Sequence, residues 1–317
     1  MFQKTDKQYN MTFFLKYFIN ILIISLLFFS CQPKAEKNKG KLKVVATTGM
    51  IGDALKQISG DSVEVNTLMG PGVDPHLYKA TQGDLTLMSD ADMIFYNGLH
   101  LEGKMGEILE KLKRTKQVYA VADGLKTSGI RQSDTYENAP DPHIWFDVEL
   151  WSQAVRYAGE VLAEADTLNT AYYEQNMKTY LSALDSLDQW VASELKKIPE
   201  GQRIMITAHD AFGYFGEAYG IDVRGLQGIS TLSDIGLQDV IRLVNFIIEK
   251  KIKAVFVETS VSDKALRAVI EGCREKGHEV KIGGSLFSDA MGESGTPEGN
   301  YVGMVRHNVT TIVEALR

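Results

Sequence analysis

Cysteine is almost missing from this chain: Cys31 and Cys273 are the two thiols in 317 residues. Cys31 falls where N-terminal processing is expected, which leaves one thiol for the folded part and excludes an internal disulfide there. In DKALRAVIEGCREKG, Leu266, Val269, Ile270 and Cys273 share one helical face, and Cys273 reads as a small buried hydrophobe. Positive charge is also short. Lys and Arg number 34 against 41 Asp and Glu, a net charge of −7, and the first 30 residues are themselves positive. The remainder is therefore more acidic still and carries no electrostatic footprint for nucleic acid. No long apolar run is present either. The longest, Phe18–Phe29, is broken by Asn20 and Ser25 and falls short of the ~20 apolar residues a membrane span needs. The chain has no His-Glu-x-x-His, no Gly-x-Ser-x-Gly and no local repeat.

What is present begins with an export pattern. Lys4, Lys7 and Lys16 precede the apolar run, and Ser30 closes it just before Cys31. Residues 1–30 are expected to be a secretory signal and residues 31–41, rich in Lys, Asn and Gly, a flexible tether. The rest is long enough for two domains. Strand-like runs at Lys43–Thr48, Val63–Met69, Met93–Asn97 and Val118–Val121 alternate with helical patterns such as Ile51–Ile58 and Lys104–Leu112. The alternation resumes with Arg203–Ala208, Asp222–Leu226, Ala254–Glu258 and Glu279–Ile282, separated by helical patterns over Phe212–Tyr219, Leu237–Lys250 and Asp263–Lys276. This argues an α/β fold of two lobes, 42–168 and 199–317, each a mainly parallel sheet flanked by helices. Between them Tyr173, Met177, Tyr180, Leu184, Leu187, Val191, Leu195 and Ile198 recur at helical spacing, with no Gly or Pro until Pro199. One rigid linker helix within 169–198, about 29 residues and roughly 43 Å long, is expected. Ligands of open α/β sheets bind outside the carboxyl ends of the strands, here a cleft between the lobes.

Four residues that can ligate a metal stand at such places. His76 follows the stiff turn GPGVDPH after the second strand, and His143 sits in a second Asp-Pro-His before a helix starting near Asp147. His209 ends a strand, and Asp289 follows one by seven residues. Three neutral imidazoles and a carboxylate suit a divalent transition metal, and the prolines before the first two histidines hold them in place. Glu258, at the end of a strand in the second lobe, reads either as an outer partner orienting a histidine or as a capping or ion-pairing residue. His100 is a weaker candidate ligand, His278 reads as solvated, and His307 lies on the polar side of a terminal helix. If the histidines bind metal, affinity should weaken below pH ~6.5 as they protonate.

The segments GPGVDPHLYKATQGDL, DPHIWFD, TAHDAFGYF, VETSVSDK and SLFSDAMGESGTPEGNYVGMVRHNV resemble, in order, those of the zinc- and manganese-binding solute receptors of bacterial ABC importers. The likeness covers residues 41–317. It implies two α/β lobes joined by a long helix, metal ligands at His76, His143, His209 and Asp289, and no enzymatic activity. The cargo it implies is one Zn2+ or Mn2+ ion and the partner an ABC permease membrane subunit. Cys31 similarly resembles a lipoprotein acceptor, which implies a chain anchored in the membrane through a lipid at Cys31 and facing the periplasm or the cell surface; a monomer is expected. Two departures bear on the metal. Zinc-dedicated members often carry a histidine-rich loop before the second ligand, and residues 125–140 have no histidine. Many manganese receptors have glutamate where this chain has His209. A zinc-dependent hydrolase, with Glu258 as its base, and an adhesin are the alternative functions; no residue pattern supplies the adhesin with a mechanism.

Overall fold

The computed structural model describes residues 40–133 and 139–317; residues 1–30, Cys31 and nearly all of the tether lie outside the described residues. The first lobe runs β1 (Leu42–Ala46), α1 (Gly49–Ser59), β2 (Val63–Thr67), α2 (Gln82–Asp90), β3 (Met93–Tyr96), α3 (Gly106–Leu112) and β4 (Gln117–Ala120). Its four strands are parallel in the order β2-β1-β3-β4. Val44, Val45 and Ala46 are all buried, as a central parallel strand covered on both faces requires. Helix α2 has no strong apolar stripe and is not legible from periodicity. Its start is set by a reciprocal cap: Thr81 Oγ1 accepts from the Asp84 N–H (3.2 Å), and Asp84 Oδ2 accepts from the Thr81 N–H (2.7 Å).

Helices α4 (Val148–Ala165) and α5 (Thr170–Leu195) lead into the second lobe: β5 (Ile204–His209), α6 (Gly213–Tyr219), β6 (Asp222–Gln227), α7 (Leu237–Lys250), β7 (Ala254–Glu258), α8 (Lys264–Glu275), β8 (Lys281–Leu286) and α9 (Tyr301–Leu316). Here the strands form two parallel pairs, β5–β6 and β7–β8, rather than one continuous ladder. The pairs stand side by side, and Glu258 Oε1 accepts from the His209 N–H across them (2.9 Å). Strand β8 runs four residues beyond the expected Ile282, so Asp289 lies three residues past the strand rather than seven. Gly283 and Gly284 read as strand breakers. They are there because β8 lies against α9: a Cβ on Gly284 would come within 2.3 Å of Thr311.

Helix α5 is 26 residues long, three fewer than the periodicity suggests. The last turn tightens instead of continuing, with the Ile198 N–H on the Leu195 carbonyl (3.1 Å) before Pro199. Tyr173, Tyr180, Leu184, Leu187, Val191 and Leu195 are buried as their spacing requires. The helix backs both lobes. Asn176 donates to the Ile58 carbonyl at the end of α1 (2.9 Å), the Tyr219 hydroxyl of α6 donates to Asp188 (2.6 Å), and Arg306 of α9 lies 4.5 Å over the Trp190 ring. One apolar core runs unbroken from Val44 and Met50 through Leu184 to Met304 and Val309. Each such side chain contributes about 1.5–3 kcal/mol by leaving water, so parting the lobes by a wide hinge would be costly. Among the described residues no helix is long and apolar enough to cross a membrane. Cys273 is fully buried, as expected.

Candidate metal centre

The turn after β2 is built as its residues demand. Pro71 and Gly72 occupy its centre, Gly72 at φ 69°, and the Val73 N–H closes on the Gly70 carbonyl (3.3 Å). Asp74 Oδ1 then accepts from the His76 N–H (2.8 Å), so Pro75 is trapped between two fixed points. The second Asp-Pro-His uses its aspartate differently. Asp141 Oδ1 accepts from the His143 N–H (3.0 Å) and also meets the ring Nδ1 (2.7 Å). At the end of β5, Glu258 Oε2 meets His209 Nδ1 (2.5 Å). With Nδ1 committed to a carboxylate, His143 and His209 each turn Nε2 toward a common centre.

All three Nε2 atoms face Asp289. His209 is 3.2 Å and His76 3.7 Å from its Oδ2, and His143 is 3.6 Å from its Oδ1. One ligand atom from each of the four residues lies within 4.8 Å of the others, and all four side chains are buried. Among the described residues six buried side-chain polar atoms have no hydrogen-bond partner, and five of them are these three Nε2 atoms and the two Asp289 oxygens. A buried polar atom left unpartnered costs about 1–3 kcal/mol, so five converging on one point mark a place meant for something that bonds them all. Three nitrogens and a carboxylate are donors for a divalent transition metal.

The electrostatics separate the histidines. Burial pulls the His76 imidazole down to about 3, against a smaller upward pull from Asp289. Burial also opposes charge on His209, but the Glu258 and Asp289 carboxylates on either side outweigh it and hold the ring well above its ordinary value. Burial raises Asp289, yet the three histidines, His209 foremost, hold it below the usual carboxylate range. His76 is thus ready to bind as it stands, whereas His209 carries a proton that a metal must displace. The raised His209 adds to the free-imidazole expectation of pH ~6.5: affinity should begin to fall at a higher pH than that as the solution is acidified. Metal uptake at pH 7 should release protons, read by calorimetry in buffers of different ionisation heat. Uptake with no proton released would contradict the assignment of His209.

The structure brings together His76, His143, His209 and Asp289 and places Glu258 against the His209 backbone N–H and ring Nδ1. His100 is exposed and takes no part. His278, read as solvated, is half-buried with Nε2 2.7 Å from the Ile252 carbonyl. His307 meets the Ser285 carbonyl (3.0 Å) and the Phe287 ring. Sequence reasoning overlooked Asp141, Asp74 and Arg131. The signal for the first two was an aspartate two residues before each histidine, the spacing at which Asp bonds the backbone ahead of it.

A family model described as "Zinc-uptake complex component A periplasmic" matches residues 44–315. The chain is 50% identical over 277 residues to the manganese-binding lipoprotein MntA of Bacillus subtilis, covering 87% of this chain and 90% of that protein. It is 48% identical over 278 residues to the zinc-binding protein TroA of Treponema pallidum, covering 87% and 89%. The solved structure of that periplasmic zinc-binding protein superposes with a TM-score of 0.85 over 87% of this chain and 99% of its own. The structure of Fe(III)-bound YtgA from Chlamydia trachomatis, 28% identical, superposes with a TM-score of 0.79 over 87% and 98%. The chain therefore belongs to the family of periplasmic zinc-uptake components.

Proposed function

We propose that this protein is an extracytoplasmic receptor that captures one divalent transition metal, zinc or manganese, on His76, His143, His209 and Asp289. It then delivers the ion to an ABC permease for import. The observation that carries this reading is the convergence of five unpartnered buried donor atoms on one point. The ion is cargo, and no reaction is performed on it. A hydrolase would need an open coordination position and a base able to take a proton from water. Glu258, the best base available, has both oxygens engaged by His209. A lipid at Cys31 tethers a monomer to the membrane, and the lobes, fused through α5 and a common core, favour release by local rearrangement over wide opening. Elemental analysis of protein purified without added metal tests the reading: one equivalent of zinc or manganese per chain is expected, and a metal-free protein that takes up none would refute it.

The relatives' names divide between the two metals, but the donor set here does not treat them alike. Manganese is the weakest binder of the first-row divalent series at nitrogen sites, and a nitrogen-rich shell of three imidazoles accentuates this. In equimolar competition the protein should therefore load zinc, and zinc should displace bound manganese. Retention of manganese against zinc would mean that more oxygen donors enter than this site offers.

A further inference from the structure

We infer that Arg131 is a positioning residue that ties the two lobes together behind the metal centre and so sets how long the captured ion stays. This rests on the metal-capture reading above. His143 comes from the segment that leads out of the first lobe, whereas His209 and Asp289 come from the second lobe. A bound ion can leave only if these move apart. Arg131 stands behind both sides at once. Its Nη1 is 3.0 Å from Asp141 Oδ2, the aspartate whose other oxygen holds His143, and 4.0 Å from Oδ2 of Asp210, the residue after His209. Its Nε donates to Glu217 on α6 (2.8 Å).

The backbone repeats the link. The Arg131 N–H donates to the Tyr214 hydroxyl (2.9 Å), which donates to the Asp141 carbonyl (3.0 Å), and the Asp141 N–H returns to the Arg131 carbonyl (2.8 Å). Most exposed ion pairs contribute about 0–1 kcal/mol and would decide nothing here. This one differs on two counts. The Arg131 side chain is 12% exposed and that of Asp210, across the lobes beside His209, 17%, so water and salt screen this contact less than the one to Glu217, which is 66% exposed. The guanidinium also lies flat on Gly213, where a Cβ would stand 2.5–2.9 Å from Nη1, Cζ and Nε. The second lobe thus holds a seat shaped for this fork, and a planar fork can hold two carboxylates in fixed directions where a point charge cannot.

The test uses the full chain loaded with zinc and a chromogenic chelator that reports release in stopped flow. Arg131→Gln removes the fork, and Gly213→Ala displaces it while leaving its charge in the chain. Both should speed release about tenfold, the lower end of what loss of an outer partner costs in metal affinity, with association little changed. Arg131→Lys, which keeps charge without the fork, should fall between Arg131→Gln and the parent. A residue of merely structural importance would lower the melting temperature of the metal-free protein without changing the release rate. Release within about twofold of the parent in both Arg131→Gln and Gly213→Ala would overturn the inference while leaving the capture reading intact. A parent protein that takes up no zinc would overturn both.

Discussion

Asp289→Ala is expected to abolish stoichiometric metal in the purified protein, and His76→Ala to reduce it to a trace. A four-ligand site of this kind binds with about 10–16 kcal/mol shared among its donors, so one lost ligand removes roughly 3–4 kcal/mol, or two to three orders of magnitude in affinity. The loss at Asp289 should be the larger of the two, because it is the one anionic donor and faces all three imidazoles. Among the described residues the His76 ring meets no carboxylate besides Asp289, unlike the other two histidines, so truncating it leaves the outer shell intact. Metal per chain after dialysis against a weak chelator measures both, with circular dichroism checking that the fold persists. Variants that keep one equivalent would remove these residues from the site.

Glu258→Gln should weaken metal binding about 10–100-fold although the residue never touches the ion. Both Glu258 oxygens face donors, the His209 backbone N–H and the ring Nδ1. A glutamine offers one acceptor and one amide group, so one of those donors would confront another donor inside a buried site. The substitution also removes a negative charge that keeps His209 protonated in the metal-free protein. The signs are therefore separable. Lost orientation lowers affinity at every pH, while the depressed histidine pKa shrinks the proton release on metal uptake at pH 7. A variant with weaker binding but undiminished proton release would place the displaced proton somewhere other than His209.

Much of this arrangement was legible before any coordinates. The two lobes, and the strand ends where His76, His143, His209 and Asp289 cluster, follow from strand–helix alternation and from where these residues fall in it. What was not legible depended on pairing across the fold. Nothing local told Glu258 that its partner would be His209, 49 residues away, because that contact exists only where β5 and β7 stand together. The ends of β8 and α5 were misjudged because glycine reads as a breaker until close helix packing explains it, and because a last turn can tighten without any change in apolar spacing. Helix α2 was invisible for a related reason: two residues buried in nine give no period to detect, and only its cap marks it. Nothing local singled out Arg131, since Asp141, Asp210 and Glu217 reach it from separate parts of the fold.

The most direct measurement is an anomalous difference map from crystals of the metal-loaded protein, collected at the absorption edge of the bound element. A single peak should lie between the Nε2 atoms of His76, His143 and His209 and the carboxylate of Asp289, with nitrogens at ~2.0–2.1 Å if the ion is zinc. A peak elsewhere on the molecule, or one that any of these four side chains fails to reach, would contradict it.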